Sequence, residues 1–389
     1  MWRLFMIFFL LVYTGINIYT GSRLFSLVKY LLPSFKVFVF WPLYIFLCYS
    51  FVAIYLLRLA KIHTIRQAAM YSLPVIIYFF LALLIFDGVK IILHFMHHLS
   101  NAPGFSAAGT GIALGLAILL IIYGSFHAQN IRTTHYSITL NKNGPENPLR
   151  IALVSDFHIG VTVDRKWVAK IVNTVNSTEP DIICLAGDIF DGGLDTMSDL
   201  ESAVMELKRL KAPLGVYACP GNHDIDGFSP RTGAGGTGMD RVMSFLEKAG
   251  VILLLDETAL VSDRFYIIGR RDARPIRLQQ QERKTAAELA AGPDRSLPLI
   301  FLDHQPVDFP AEEEAGADLI LSGHTHRGQF FPGNIITARI FKKAGAAHYG
   351  HWQGSSAQGI VTSGAGVWGP PVRIGTDSEV AVLDITFGH

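Results

Sequence analysis

Hydrophobic residues are distributed along this chain in two different ways. Before residue 127 they run in long, nearly unbroken stretches, at 4–19, 37–57, 68–86 and 107–126. A bilayer core about 30 Å thick takes roughly 20 apolar residues in a helix, so these runs predict an N-terminal bundle of about four transmembrane helices over residues 1–127. The first run follows Arg3 and is as short as a signal peptide, but no small-residue cleavage site follows it and three further runs do, so it reads as a retained helix. Residues 128–149, with Asn141-Lys-Asn-Gly-Pro-Glu-Asn-Pro148, read as a turn-rich linker. From 150 to 389 the pattern becomes that of an α/β domain. Strand-like runs fall at 150–155, 181–186, 215–219, 251–255, 265–269, 299–303, 319–322, 359–362 and 379–385, and amphipathic helical stretches at 165–176, 196–211 and 240–249.

Composition sharpens this division. With 50% hydrophobic residues, 17% charged and a mean hydropathy of +0.34, the chain is too apolar for an ordinary soluble protein. A net charge of +1 without a basic stripe argues against a nucleic-acid partner, and the mixed cluster at 264–284 reads as a solvated face. Cys48, Cys184 and Cys219 are odd in number and share no spacing, which fits small core residues better than a disulfide framework or a zinc ribbon. In the apolar half, Asp87 and Lys90 share a helical face as an interfacial pair. Gly111 and Gly115 form a small-xxx-small spacing for helix approach, and His94, His97 and His98 read as interfacial polar residues. With the N-terminus in the cytoplasm, Arg3, Arg58, Lys61, Arg66 and Arg132 lie inside against Arg23, Lys29 and Lys36 outside, a small bias toward a cytoplasmic domain.

Five polar clusters each sit at or just past the end of a strand-like run: Asp156-Phe-His158, Gly187-Asp188, Gly221-Asn-His-Asp224, His304 and Gly323-His-Thr-His326. In an open α/β fold the carboxyl ends of strands converge on one edge. Each cluster alone is common; five together, in order, predict a metal site. The expected ligands are Asp156, His158, Asp188, Asn222, His304, His324 and His326. Carboxylate, imidazole and amide oxygen suit divalent Mn, Fe or Zn. Two such ions about 3.5–4 Å apart repel and need a bridging group, and Asp188 is the candidate.

This series resembles the signature of the calcineurin-like metallophosphoesterases, over residues 150–387. Joined to N-terminal spans, it is similar to the membrane-anchored branch of that superfamily, which includes bacterial enzymes acting on lipid-linked or envelope phosphodiesters. The resemblance implies a four-layer α/β/β/α sandwich over 150–389. It implies one metal ion on Asp156, His158, Asp188 and His326, and a second on Asp188, Asn222, His304 and His324. It makes His223 a general acid or a donor to the phosphoryl oxygens, oriented by a carboxylate such as Asp224. The implied reaction is hydrolysis by water whose pKa the ions pull from 15.7 toward about 7, with in-line attack on phosphorus and no phospho-enzyme. Arg327 stands where relatives carry a small residue, and a guanidinium there suits a clamp on the second phosphate of a diphosphate.

Around the cleft the reading places His348 and His351 in a nearby loop, the Trp368-Gly-Pro-Pro371 turn as a lining, and the glycine-rich passages 227–238 and 345–366 as edges. The expected partners are a phosphoester substrate, lipid-linked or from the envelope, and the bilayer itself. The expected location is the bacterial cytoplasmic membrane. A catalytically inactive binding or regulatory scaffold is the alternative, opposed by the complete ligand set. A nuclease is opposed by the balanced charge and the anchor, and transport by the scarcity of charges inside the helices.

Overall fold

The computed structural model describes residues 2–57, 63–96, 103–191, 199–226, 238–273, 282–343 and 345–388. It divides into two compact units, Met1–Phe126 and His127–His389. Arg58, Lys61, His97, His98, the start of the 196–211 helix, nearly all of the 227–238 passage and part of the 264–284 cluster lie outside the described residues.

The first unit is helical: α1 (Trp2–Leu31), α2 (Val37–Leu57), α3 (His63–Met70), α4 (Ser72–Phe95) and α5 (Pro103–Ala128). Among the described residues, two stretches, Ile65–Phe95 and Gly104–Ala128, are long and apolar enough to cross a membrane, and Val37–Ser50 is a shorter apolar helix. The run at 4–19 belongs to a longer helix, α1, that carries Thr14, Asn17, Thr20 and Arg23. These polar groups turn toward neighbouring helices: the hydroxyls of Thr20 and Tyr44 lie 2.6 Å apart, and those of Thr14 and Tyr49 2.7 Å. Large apolar side chains, among them Phe38, Phe46, Ile85 and Phe126, face outward. Polar groups paired inside and hydrocarbon outside is the arrangement that lipid solvation favours.

Two details of this unit differ from expectation. Asp87 pairs with Arg23 and accepts from the Tyr19 hydroxyl, while Lys90 donates to Ser106 at 3.0 Å; a guanidinium from α1 takes the carboxylate that Lys90 was expected to hold. Close helix approach occurs at Gly109, where a Cβ would run into the Phe86 ring, whereas Gly111 and Gly115 face open space.

The second unit begins with β1 (Ile131–Leu140), so the passage expected as a linker supplies a ten-residue strand. Its alternation of Ile138 and Leu140 inward with Ser137 and Thr139 outward fits an edge position. There follow β2 (Leu149–Val154), α6 (Arg165–Ser177), β3 (Ile182–Ala186), α7 (Leu200–Leu207), β4 (Val216–Cys219), α8 (Asn222–Asp226), α9 (Gly238–Lys248), β5 (Ile252–Leu253), β6 (Glu257–Val261) and β7 (Phe265–Gly269). The chain continues through α10 (Ala286–Leu289), β8 (Leu299–Leu302), α11 (Phe309–Glu314), β9 (Leu319–Ser322), α12 (Gly333–Lys343), β10 (Gly350–Gln353), β11 (Gln358–Val361) and β12 (Ser378–Phe387). One sheet has the order β1-β12-β2-β3-β4-β5, the other β10-β11-β9-β8-β7-β6.

Strand side chains alternate between two buried faces. Ile151 and Leu153 of β2, with Ile182 and Cys184 of β3, meet Phe265, Ile267, Ile300 and Leu302 of the other sheet. Ala152, Val154, Ile183 and Leu185 point outward against Trp167, Val168, Ile171 and Val172 of α6. On the far side, Ile268, Phe301 and Ile320 pack with Leu289 and Phe309. The result is helices, sheet, sheet, helices. The helix α6 starts where the Asp164 carboxylate accepts the Trp167 N–H at 2.9 Å, a side-chain N-cap. Cys184 and Cys219 are free, buried and part of the inter-sheet core.

Phe301→Ala is expected to cost the domain about 3–5 kcal/mol by leaving a cavity, measured as a lower urea midpoint in the detergent used for the wild type. An unchanged midpoint would contradict the packing.

Candidate metal centre

Parallel strands of both sheets deliver their carboxyl ends to one place. Asp156 and His158 follow β2, Asp188 follows β3, Asn222 and His223 follow β4, His304 follows β8, and His324 and His326 follow β9. Ladder pairing persists beyond the strands, with the Asp156 N–H donating to the Gly187 carbonyl and the His158 N–H to the Asp188 carbonyl, both at 3.0 Å. Turning the side chains into the cleft requires left-handed backbone: φ is 55° at Asp156, 51° at His158, 50° at Asp188, 70° at His324 and 47° at His326. Such geometry costs an L-residue roughly 1–2 kcal/mol and collects at functional sites. Of eleven non-glycine residues with positive φ among those described, seven are these five with Arg327 and Gln329. At Gly187, φ is 79° and a Cβ would meet His304 Nδ1 at 2.6 Å, so only glycine lets this loop approach.

Three groups have members within 4.8 Å of one another among the described residues: two of expected ligands, Asp156 with His158 and His326, and Asp188 with His304 and His324, and a third that joins His158 to Asp191 and His223. In the first, His158 Nε2 and His326 Nε2 are 3.0 Å apart, and His326 Nε2 is 3.3 Å from Asp156 Oδ1. In the second, His304 Nε2 is 3.1 Å from Asp188 Oδ2 and 3.3 Å from His324 Nδ1. Asp188 Oδ2 also lies 3.7 Å from His158 Nε2, so one oxygen touches both groups. The other oxygen, Oδ1, accepts the His223 N–H at 2.7 Å.

These residues fit divalent cations on two counts. Asp156 Oδ1 and Asn222 Oδ1 are buried acceptors that receive no hydrogen bond, a costly condition that a cation relieves. Their neighbours' spacings are those of donors that share a cation at about 2.0–2.2 Å. The Nδ1–H of His304 donates to the Ala186 carbonyl at 2.8 Å, which aims Nε2 at Asp188.

Electrostatics agree with that role at Asp188 and His326 but not at Asp156, whose carboxyl burial raises, nor at His304. Burial alone would raise the Asp188 carboxyl, but the charge and hydrogen bond of His304, with the charge of His158, hold it well below the usual carboxylate range. Burial pulls His304 down, and Asp188 and Asp156 more than reverse this. Burial, then the charges of His158 and Arg373, keeps His326 well below its usual value. A carboxylate and a neutral imidazole are the ligand-competent forms, so a cation would have to displace the proton that Asp188 and Asp156 favour on His304.

His223 borders the first group, its Nδ1 3.2 Å from Asp191 Oδ1, which is also 3.8 Å from His158 Nδ1. The carboxylate that positions His223 is therefore Asp191, not Asp224. Asp224 turns away and accepts the backbone N–H groups of Gly221, Phe190 and Ile189 at 2.8, 2.9 and 3.3 Å. Burial and the charge of Asp188 push its carboxyl up to about 6. A second residue outside the motifs is Arg373, which is fully buried and donates to the carbonyls of Ser363, Gly366 and His326 at 2.7, 2.8 and 3.3 Å, tying the loops beneath the site.

A cavity of about 410 Å³ opens onto His158, Asp188, Asn222, His223, His324 and His326, with Phe330, Thr337 and Trp368 on its walls. The backbone at Trp368 is fixed by its amide N–H donating to Gln329 Oε1 at 2.8 Å, in keeping with a rigid turn at the cleft. A larger cavity, about 760 Å³, lies in the first unit beside Arg23, Asp87 and Lys90 and contains none of these groups. Arg327, expected at the cleft, does not line it: its guanidinium lies over the Tyr349 ring at 4.1 Å. With Arg339, Lys342 and His348 it borders a separate cavity of about 360 Å³. His351 pairs with Gln358 on the surface at 3.0 Å.

Fold and site together define a two-sheet α/β domain with a candidate dinuclear metal centre at its strand tips. The profile of the calcineurin-like phosphoesterase family matches residues 149–328, a stretch that includes every expected ligand. It is 29% identical over 270 residues to an uncharacterized metallophosphoesterase of Helicobacter pylori, covering 69% of this chain and 68% of that one. An uncharacterized metallophosphoesterase of Campylobacter jejuni is 25% identical over 379 residues, covering 97% of this chain and 96% of its own. A Danio rerio transmembrane protein with a metallophosphoesterase domain is 30% identical over 289 residues, covering 70% of this chain and 61% of its own.

Asp191→Asn is expected to lower kcat on a soluble ester by about tenfold or more with an unchanged Tm. Asp224→Asn is expected to lower Tm, because hydrogen bonds to a charged group contribute about 1.5–3 kcal/mol each. Equal losses of Tm in the two variants would remove the distinction between them.

Proposed function

We propose that this protein is a membrane-anchored, dinuclear metal-dependent hydrolase of phosphodiester or pyrophosphate bonds. Its substrate is a lipid-linked or envelope compound met at the bilayer surface. The anchor comprises about four helices in the bacterial cytoplasmic membrane, with the domain on the cytoplasmic face that the loop charges favour. The observation that carries the reading is Asp188, whose Oδ2 is within 3.1 Å of one histidine group and 3.7 Å of the other.

In this reading Asp156, His158, Asp188 and His326 hold one ion, and Asp188, Asn222, His304 and His324 the other. The donor types suit Mn, Fe or Zn. When bound, the two ions supply positive charge toward phosphoryl oxygens and lower the pKa of water to about 7. His223, with Nδ1 engaged by Asp191, keeps Nε2 for donation to the leaving oxygen. Phe330 and Trp368 give the cleft apolar walls that accept a hydrocarbon portion and exclude water.

Hydrolysis of bis-p-nitrophenyl phosphate by the purified chain is expected to vanish on chelation and return with Mn²⁺. Asp188→Asn is expected to lower kcat by about 10²–10³-fold, since metal stabilisation of several kcal/mol is at stake. Full turnover after stripping would end the proposal. Mass spectrometry of a lipid extract treated with the enzyme should reveal a new phosphomonoester, and an unaltered extract would count against the lipid substrate.

A further inference from the structure

The stretch between Asp318 and Asp377 contains no acidic residue, yet it carries Arg327, Arg339, Lys342, Lys343 and Arg373. At its centre is α12, an eleven-residue helix with no buried side chain. A helix of that length is marginal in water and normally depends on a packed face. At about 100° per residue, Lys342, Ile335, Arg339, Lys343, Ile336 and Ile340 follow one another around one continuous arc, and all six are exposed. Ile336 is 55% and Ile340 60% exposed, and Phe331 just before the helix is 42% exposed.

We infer that α12 is an interfacial helix that seats the catalytic domain on an anionic lipid surface. Isoleucines interleaved with cations, and no acid among them, match a boundary where hydrocarbon lies beside phosphate headgroups. The same chain carries two helices of membrane-crossing length, so a bilayer is the apolar surface permanently within reach. One flank of α12, Arg339 and Lys342, borders the basic cavity with Arg327 and His348, sized for a headgroup phosphate. The opposite flank, Gly333 and Thr337, borders the metal cleft. Docking along the exposed crest thus brings the mouth of the cleft to the lipid. The inference shares the membrane placement of the proposed function but not its chemistry.

The test uses the full chain in nanodiscs of phosphatidylcholine alone or mixed with phosphatidylglycerol. An environment-sensitive fluorophore is attached at Ile336→Cys or Ile340→Cys, the native Cys48, Cys184 and Cys219 being buried. A label at Met243→Cys on α9, where Met243 is 45% exposed, serves as the reference. Labels at 336 and 340 are expected to shift to the blue and to be quenched by acyl-chain nitroxides in the phosphatidylglycerol discs, while the label at 243 is not. The triple change Arg339→Gln, Lys342→Gln and Lys343→Gln should abolish quenching at 336. No quenching at 336 and 340 with either lipid overturns the inference. So does quenching that is equal in both lipids and survives the triple change. None of these readings involves turnover, so their failure is separable from failure of the hydrolase reading.

Discussion

Asp188 places a carboxylate, almost without solvent, between imidazoles drawn from three strand tips. Burying a charge there is tolerable only because His304, His158 and the His223 backbone N–H converge on its two oxygens. The convergence in turn requires both sheets to end at the same level and the inter-sheet core to hold them together. Site and sandwich are one requirement: the core in which Leu153 and Cys184 meet Ile300 and Leu302 is what brings β8 and β9 within reach of β2 and β3.

The backbone bears the strain of this arrangement. Left-handed residues at five ligand positions are held in different ways: Asp156, His158 and Asp188 by ladder hydrogen bonds that continue past the strand ends, His324 by its N–H to the Asp156 carboxylate, and His326 by the buried guanidinium of Arg373 on its carbonyl. Arg373 serves backbone carbonyls and Asp224 serves backbone N–H groups. Both are fully buried ionisable residues whose work is to fix loops, and neither faces the cleft.

The parts that were legible in the sequence are those where chemistry dictates residue type. Ligand clusters at strand ends could be read because Asp, His and Asn have few other reasons to recur there in order. Strands with both faces buried, such as β3 and β8, announced themselves as short apolar runs. Other parts had no such mark. Asp191 follows Asp188 by three residues, but no rule of spacing says which carboxylate in a loop will turn toward a histidine. The edge strand β1 has a largely exposed face and reads as polar chain. The helix α12 was invisible because it buries nothing, so it lacks the periodic apolar row that points to a core. In the first unit the apolar runs were plain, whereas the partner of Asp87 lies on a helix more than sixty residues away.

The strand β1 begins three residues after α5 ends and pairs in parallel with β12 along all ten of its residues. The change in composition near residue 150 is therefore not a seam. A chimera joined there would strip a sheet of its outermost member and leave the β12 backbone open to pair with a foreign strand. A junction that keeps the sheet whole has to fall within the few residues between Ala128 and Ile131, so the length of that connection is tied to the integrity of the sheet.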